Sequence, residues 1–185
     1  EPYGKDASGN PKHWPKPNLA RGQASRANFI AACLTHYVRE MINGPTPLFV
    51  VDKRLPGTGG TLLCQTIGHI CTGNSTPTTT LPSGKDDNAA SRAELDTLIT
   101  SLVIQSQPVV ILDNIDERLE SPSLAAALTS EKWNGRELGK SRTVDMPINC
   151  VWLANGNRVD FHEDIMRRTV PIGIDAQSSN PASDR

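Results

Sequence analysis

The stretch Pro47-Leu48-Phe49-Val50-Val51-Asp52-Lys53-Arg54-Leu55-Pro56-Gly57-Thr58-Gly59-Gly60-Thr61 decides the fold. Its first six residues form an apolar run rich in strand formers. Its last six are a glycine turn, and Thr61 to Cys71 then reads as helix. Strand, glycine turn and helix in that order suit a phosphate-binding loop. In such a loop, backbone N–H groups converge on phosphate oxygens at a helix N-terminus, a lysine reaches the terminal phosphates, and a Ser or Thr hydroxyl binds magnesium. The pattern G-x-x-x-x-G-K-[ST] falls on Arg54, Gly59, Gly60 and Thr61. The second glycine and the threonine match, but Arg54 replaces the first glycine and Gly60 replaces the lysine. Nucleotide binding would then rest on the backbone of Pro56, Gly57, Thr58, Gly59, Gly60 and Thr61 and on the Thr61 hydroxyl, with Lys53 or Arg54 as the cation the loop could lend. Taken singly, the same residues read equally well as a plain tight turn.

Upstream, Phe29, Ile30, Cys33, Leu34, Tyr37, Val38 and Met41 recur at three- and four-residue steps, which predicts an amphipathic helix to about Ile42, stopped by Asn43-Gly44-Pro45. Residues 1–20 carry four prolines and predict an irregular lead-in. Downstream, residues 72–88 read as loop with one short strand near Thr78 to Leu81. A helix is expected from about Ala89 to Gln105 with Leu95, Leu98, Ile99, Leu102 and Val103 on one face. Pro108 to Asp113 is continuously apolar until its final carboxylate, as befits a strand buried on both faces of a parallel sheet. Ser121-Pro122 can cap and start a short helix through Leu128. Ile148 to Ala154 reads as strand, Phe161 to Arg168 as helix and Thr169 to Ile174 as a last strand. The alternation predicts an α/β three-layer sandwich with a mostly parallel central sheet, preceded by an amphipathic helix. The expected divisions are a lead-in over 1–20, an N-terminal helix over 21–44, a core over 45–176 and a tail over 177–185.

The 185 residues fit one domain, with 37% hydrophobic and 21% charged residues. A formal charge of -1 makes no global case for nucleic acid, so such binding would need a local basic patch. No apolar run reaches the ~20 residues of a membrane span, and Glu1-Pro2-Tyr3-Gly4 lacks a secretory pattern, so the expectation is a cytoplasmic protein without membrane contact. Cys33, Cys64, Cys71 and Cys150 are too scattered for paired zinc knuckles and sit in apolar stretches, which predicts core packing.

Asp113 ends its strand some fifty residues after the glycine turn, where a magnesium-coordinating carboxylate belongs if Thr61 is the companion ligand. A strand-terminal Asp bonded to its own loop explains it equally well taken singly. With the turn, Leu112-Asp113-Asn114, Ala154-Asn155-Gly156-Asn157 and Met166-Arg167-Arg168 in order, the chain resembles the AAA+ P-loop ATPase core. More narrowly, residues 45–176 resemble the helicase-like ATPase modules of phage and mobile-element replication proteins, often fused to primases, and the segment from Leu112 through Ser121–Thr129 to Arg136–Ser141 carries most of that likeness.

The resemblance implies ATP and Mg2+ as cofactors, a homo-oligomeric ring on DNA, and a primase domain or subunit as a possible associate. It makes Asn155 a polar sensor orienting water against the terminal phosphate, with an Asn in a turn as the plain alternative. It makes Arg167 or Arg168 an arginine finger for a neighbouring subunit's nucleotide, the alternative being basic residues compensating a helix C-terminus. It turns Lys132–Arg142 into a pore-facing hairpin in which Lys132, Arg136, Lys140 and Arg142 grip a DNA backbone and Trp133 stacks on a base. The alternative there is a solvated loop with a partly buried Trp133.

Two departures stand out. Gly60 lacks the phosphate lysine, and Asn114 stands where the resemblance places a water-activating glutamate, with Asp116 and Glu117 nearby but displaced. Little sequence follows the last strand, so the helical lid of many such sites is not expected within these residues. The readings are therefore a replication-helicase ATPase core, a catalytically inactive scaffold or regulatory subunit of the same fold, or an unrelated α/β binding domain whose Thr61 would lie far from Asp113.

Overall fold

The computed structural model describes residues 19–81, 89–115, 119–136 and 142–175. Five strands form one sheet: β1 (Leu48–Lys53), β2 (Thr78–Thr80), β3 (Val109–Ile115), β6 (Val151–Asn157) and β7 (Thr169–Ile174), in the spatial order β2-β3-β6-β1-β7. Every neighbouring pair in it is parallel. Two further strands, β4 (Lys132–Arg136) and β5 (Thr143–Pro147), make a separate antiparallel hairpin.

Parallel strands need crossover segments, and these cover both faces. The period of two along each strand sorts the core into two halves. Leu48, Val50, Val110, Leu112, Trp152 and Ala154 point to one face, where they meet α3 (Ala89–Ile104), α4 (Pro122–Ala127), the hairpin and α5 (Glu163–Met166). Phe49, Val51, Val109, Ile111, Val151 and Leu153 point to the other, against α1 (Leu19–Tyr37) and α2 (Gly60–Thr72). The expected α/β sandwich with helices on both faces is therefore present.

The edge strand β7 is shielded by α1: Asn28 Nδ2 donates to the Pro171 carbonyl at 2.7 Å, and the Gly173 N–H donates to Ser25 Oγ at 3.0 Å. A proline is tolerated in β7 because one side of an edge strand needs no ladder bond.

Some elements differ from the expectation. The first α-helix ends at Tyr37 and tightens into a 3-10 turn, Arg39–Met41, instead of running to Ile42. Its apolar stripe is wider than the contact it makes: Ala32 and Cys33 are buried, whereas Ile30, Leu34, Tyr37 and Met41 face outward. Strand β6 starts at Val151 rather than Ile148 and carries on through Asn157, so Asn155 belongs to a strand and not to a turn. The helix expected over Phe161–Arg168 shrinks to four residues. Strand β3 passes Asp113 and reaches Ile115 with a shift of register between Leu112 and Ile115, and Asn114 takes a φ of 58°. Asparagine tolerates that left-handed conformation better than most residues. Residues 1–18, Asp116, Glu117, Lys140 and the tail lie outside the described residues.

Candidate active site

Three adjacent parallel strands deliver the site. In the ladders, Val51 pairs with Asn155, and Leu112 with Ala154, so the next residues along, Asp113 and Asn155, lie side by side. Alternation then places Asp113, Asn155 and Lys53 on the α2 face, continuing the rows Val109-Ile111, Val151-Leu153 and Phe49-Val51. Lys53 ends its strand and Asp113 and Asn155 stand two residues before the ends of theirs, toward the edge at which open α/β sheets bind ligands.

The glycine turn closes over this edge. Gly57 and Gly59 adopt φ of 76° and 86°, values that any side chain would make costly, and Thr58 Oγ1 ties the turn to the Leu55 carbonyl at 3.0 Å. Gly59 caps α2 without a side-chain bond, and the first carbonyl used by the helix is its own, from the Leu63 N–H at 2.9 Å. The N–H groups of Gly60, Thr61 and Leu62 therefore have no partner within the helix. Such amides at the positive end of a helix dipole attract anions.

Thr61 Oγ1 donates to Asp113 Oδ1 at 3.1 Å, and Asn155 Nδ2 donates to Thr61 Oγ1 at 2.9 Å and also to Asp113 Oδ1. The Asn114 N–H completes the set on Asp113 Oδ1 at 3.0 Å. All the hydrogen bonds that Asp113 accepts from described residues go to Oδ1, which leaves Oδ2 for a ligand. Asn155 is fully buried, yet its Oδ1 has no partner. Lys53, 8% exposed, lays its stem against Gly60. Beneath them the Cys64 thiol is pushed up to about 12, first by burial and then by the Asp113 carboxylate, with Lys53 pulling the other way. That thiol is no nucleophile.

A hydroxyl and a carboxylate in contact beside free amides fit a hard cation that keeps most of its waters and shares a phosphate, the usual habit of Mg2+. Among the described residues no cluster of three or more His, Cys, Asp or Glu could cage a metal alone. The donor set thus fits a hydrated Mg2+ shared with a phosphate, which Thr61 and Asp113 would hold.

The structure brings together Thr61, Asp113, Asn155 and the turn Pro56–Gly60, and it does not bring Arg167 or Arg168 to them. Those arginines precede β7, and the Arg168 carbonyl accepts from the Leu48 N–H at the start of β1. They sit at the opposite edge of the sheet, one strand length away. Arg168 turns back onto the Asp164 carbonyl, while Arg167 is exposed beside Glu163 at 3.7 Å.

Of the hairpin residues, Lys132 pairs with Asp145 at 3.6 Å in solvent, and Arg136 and Arg142 are exposed. Trp133 corrects an expectation. It is buried against α3 and its Nε1 donates to Thr100 Oγ1 at 2.8 Å, so it packs the core and cannot stack on a base. Lys53 was legible only as a loop cation; its phase with Phe49 and Val51 is the signal that would have placed it on the strand.

No protein-family model matches the sequence, and no curated protein does. Among solved structures, the chain is similar to JCV helicase, crystallised with an N-(4-(2-(thiazolo[5,4-c]pyridin-2-yl)phenoxy)phenyl)acetamide ligand, at 16% identity and a TM-score of 0.44. The match covers 85% of this chain and 46% of the helicase chain. A score that low carries no weight for function. No described helix is long and apolar enough to cross a membrane.

Proposed function

We propose that the chain is the nucleotide-binding core of a helicase-like ATPase of the AAA+ type, taking MgATP at the glycine turn. The observation that carries this reading is the contact of Thr61, Asp113 and Asn155 at the N-terminus of α2. Three residues from distant parts of the sequence converge beside unpaired amides, which a chance glycine turn would not require. Thr61 and Asp113 would hold Mg2+, the amides would hold the phosphates, and Asn155 would orient water through its free Oδ1. Magnesium would neutralise charge on the transferring phosphoryl group. The finer reading is a replication helicase of a mobile element, ring-forming and acting on DNA, with Lys132, Arg136, Lys140 and Arg142 on the DNA backbone and a primase domain or subunit nearby.

The expected result is saturable binding of MgATP by calorimetry, with loss of about 10-fold or more in affinity or turnover for Asp113→Ala, the range of a lost charge-assisted contact. Absence of binding by the intact chain would defeat the proposal. Replacing Lys132, Arg136 and Arg142 together should flatten the salt dependence of DNA affinity by roughly two to three in log–log slope while sparing MgATP binding.

A second reading, a scaffold that binds nucleotide without turning it over, is favoured by Asn114. Its left-handed backbone and amide side chain supply no base where the resemblance expects a glutamate. Turnover abolished by Asp113→Ala would remove this alternative.

A further inference from the structure

The glycine at position 60 is an odd loss if the site binds phosphate, because it deletes the one charge the turn normally provides. Its surroundings explain it. A Cβ built on Gly60 would lie 2.9 Å from Lys53 Cδ and 3.1 Å from Lys53 Cε, and closer still to Asn155 Oδ1. The space beside the helix N-terminus is already filled by the stem of another lysine.

That lysine is 8% exposed, and none of the described residues forms an ion pair with it. Its stem packs beside Gly60 while no described carboxylate pairs with its ammonium, so an anion arriving at the α2 N-terminus would meet its positive charge. Asp52, its chain neighbour, points to the other face and accepts from the Val159 N–H at 3.1 Å. The Lys53 backbone is itself fixed, its carbonyl accepting from Arg158 N–H at 3.0 Å. Nearby, Asn155 Oδ1 and Asn157 Oδ1, the latter opposite Lys53 in the β1–β6 ladder, are buried without partners. Arg54, the other cation the turn could lend, is exposed.

We propose that Lys53, reaching from the end of β1 across Gly60, is the residue that grips the nucleotide phosphates, and that position 60 is glycine to let its stem pass. The ligand class is a polyphosphate: its negative charge pairs with the Lys53 ammonium, and the α2 amides supply the remaining donors. This rests on the nucleotide-binding reading above and deepens it by assigning the missing cation.

Lys53→Met keeps the stem and removes the charge. Titration of the whole chain with MgATP should show affinity weakened roughly 10- to 100-fold, the worth of a charge-assisted phosphate contact. The melting temperature without nucleotide should hold, because the stem that packs beside Gly60 is kept. A lysine with a purely structural role would lower it. Gly60→Lys should gain no affinity, since its side chain collides with Lys53 and Asn155, and Gly60→Ala should weaken binding by displacing Lys53. Wild type that binds MgATP while Lys53→Met binds equally well would overturn the assignment and leave the nucleotide-binding reading intact. Tighter binding by Gly60→Lys would also overturn the assignment. Failure of the wild type to bind MgATP would overturn both.

Discussion

Asn155 is fully buried and donates twice, to Thr61 and to Asp113, while its own carbonyl oxygen accepts nothing. An amide is the one small side chain that can do this beside a carboxylate without adding charge. Asn155→Asp tests that logic. The new carboxyl would meet Asp113 with no solvent to screen it, so burial and like charge both raise its folded pKa above the unfolded value of about 3.9. A raised acid means that the folded state binds the extra proton. Stability relative to wild type is then best below the unfolded pKa and falls as pH rises through the folded one. Urea unfolding of the variant should show a deficit of about 3 kcal/mol or more at pH 7, shrinking as pH approaches 4. A constant deficit across that range would mean the position is a packing site and not an electrostatic one.

At the scale of elements, the β4–β5 hairpin is fastened to α3 by one bond that the sequence only half discloses. Trp133 donates to Thr100, and a Cβ on Gly135 would press into both Thr100 Oγ1 and Trp133 Nε1. Gly135→Ala should therefore break the bond, costing about 1–3 kcal/mol for a buried donor left unpaired, and Trp133→Ala should cost about 3–5 kcal/mol. Denaturant melts followed by far-UV circular dichroism would measure both, and DNA affinity should change with neither once the fold is intact. Hydrophobic period placed the sheet strands, because strands buried on both faces read as apolar runs. Where side chains decide function, period was a poorer guide. A tryptophan among basic residues reads as a DNA contact until α3 is seen beneath it, and its partner there, Thr100, is 33 residues away in sequence. The apolar stripe of α1 was visible, but not that only its Phe29, Ala32 and Cys33 edge would be covered. Asp113 was legible as a companion to Thr61 because it closes an apolar run, whereas Asn155 entered only through the resemblance to AAA+ cores. Lys53 was misplaced because the last strand residue and the first loop residue look alike without the ladder.

For the whole molecule, parallel topology separates the two halves of the proposed chemistry. Strand β1 runs from Leu48, held by the Arg168 carbonyl, to Lys53 at the edge of the proposed nucleotide site, a rise of roughly 16 Å over five steps. An arginine beside the start of β1 cannot reach phosphates bound at its end, so under the proposed function Arg167 or Arg168 would act on a neighbouring copy. Arg167 suits this better: its side chain is 72% exposed, and its contact with Glu163 is a surface pair of little energetic weight. Arg168 is bonded to its own helix. If the chain hydrolyses ATP as an assembly, Arg167→Ala and Asp113→Ala should each be inactive alone. Mixing the two variants, followed by phosphate release, should restore part of the activity, because some interfaces then pair an intact Asp113 site with an intact Arg167 from the adjacent copy. Arg168→Ala should retain most of its turnover in the same assay. No recovery in the mixture, with both variants folded and assembling, would remove Arg167 from the catalytic set and leave it a charged residue at the end of a short helix.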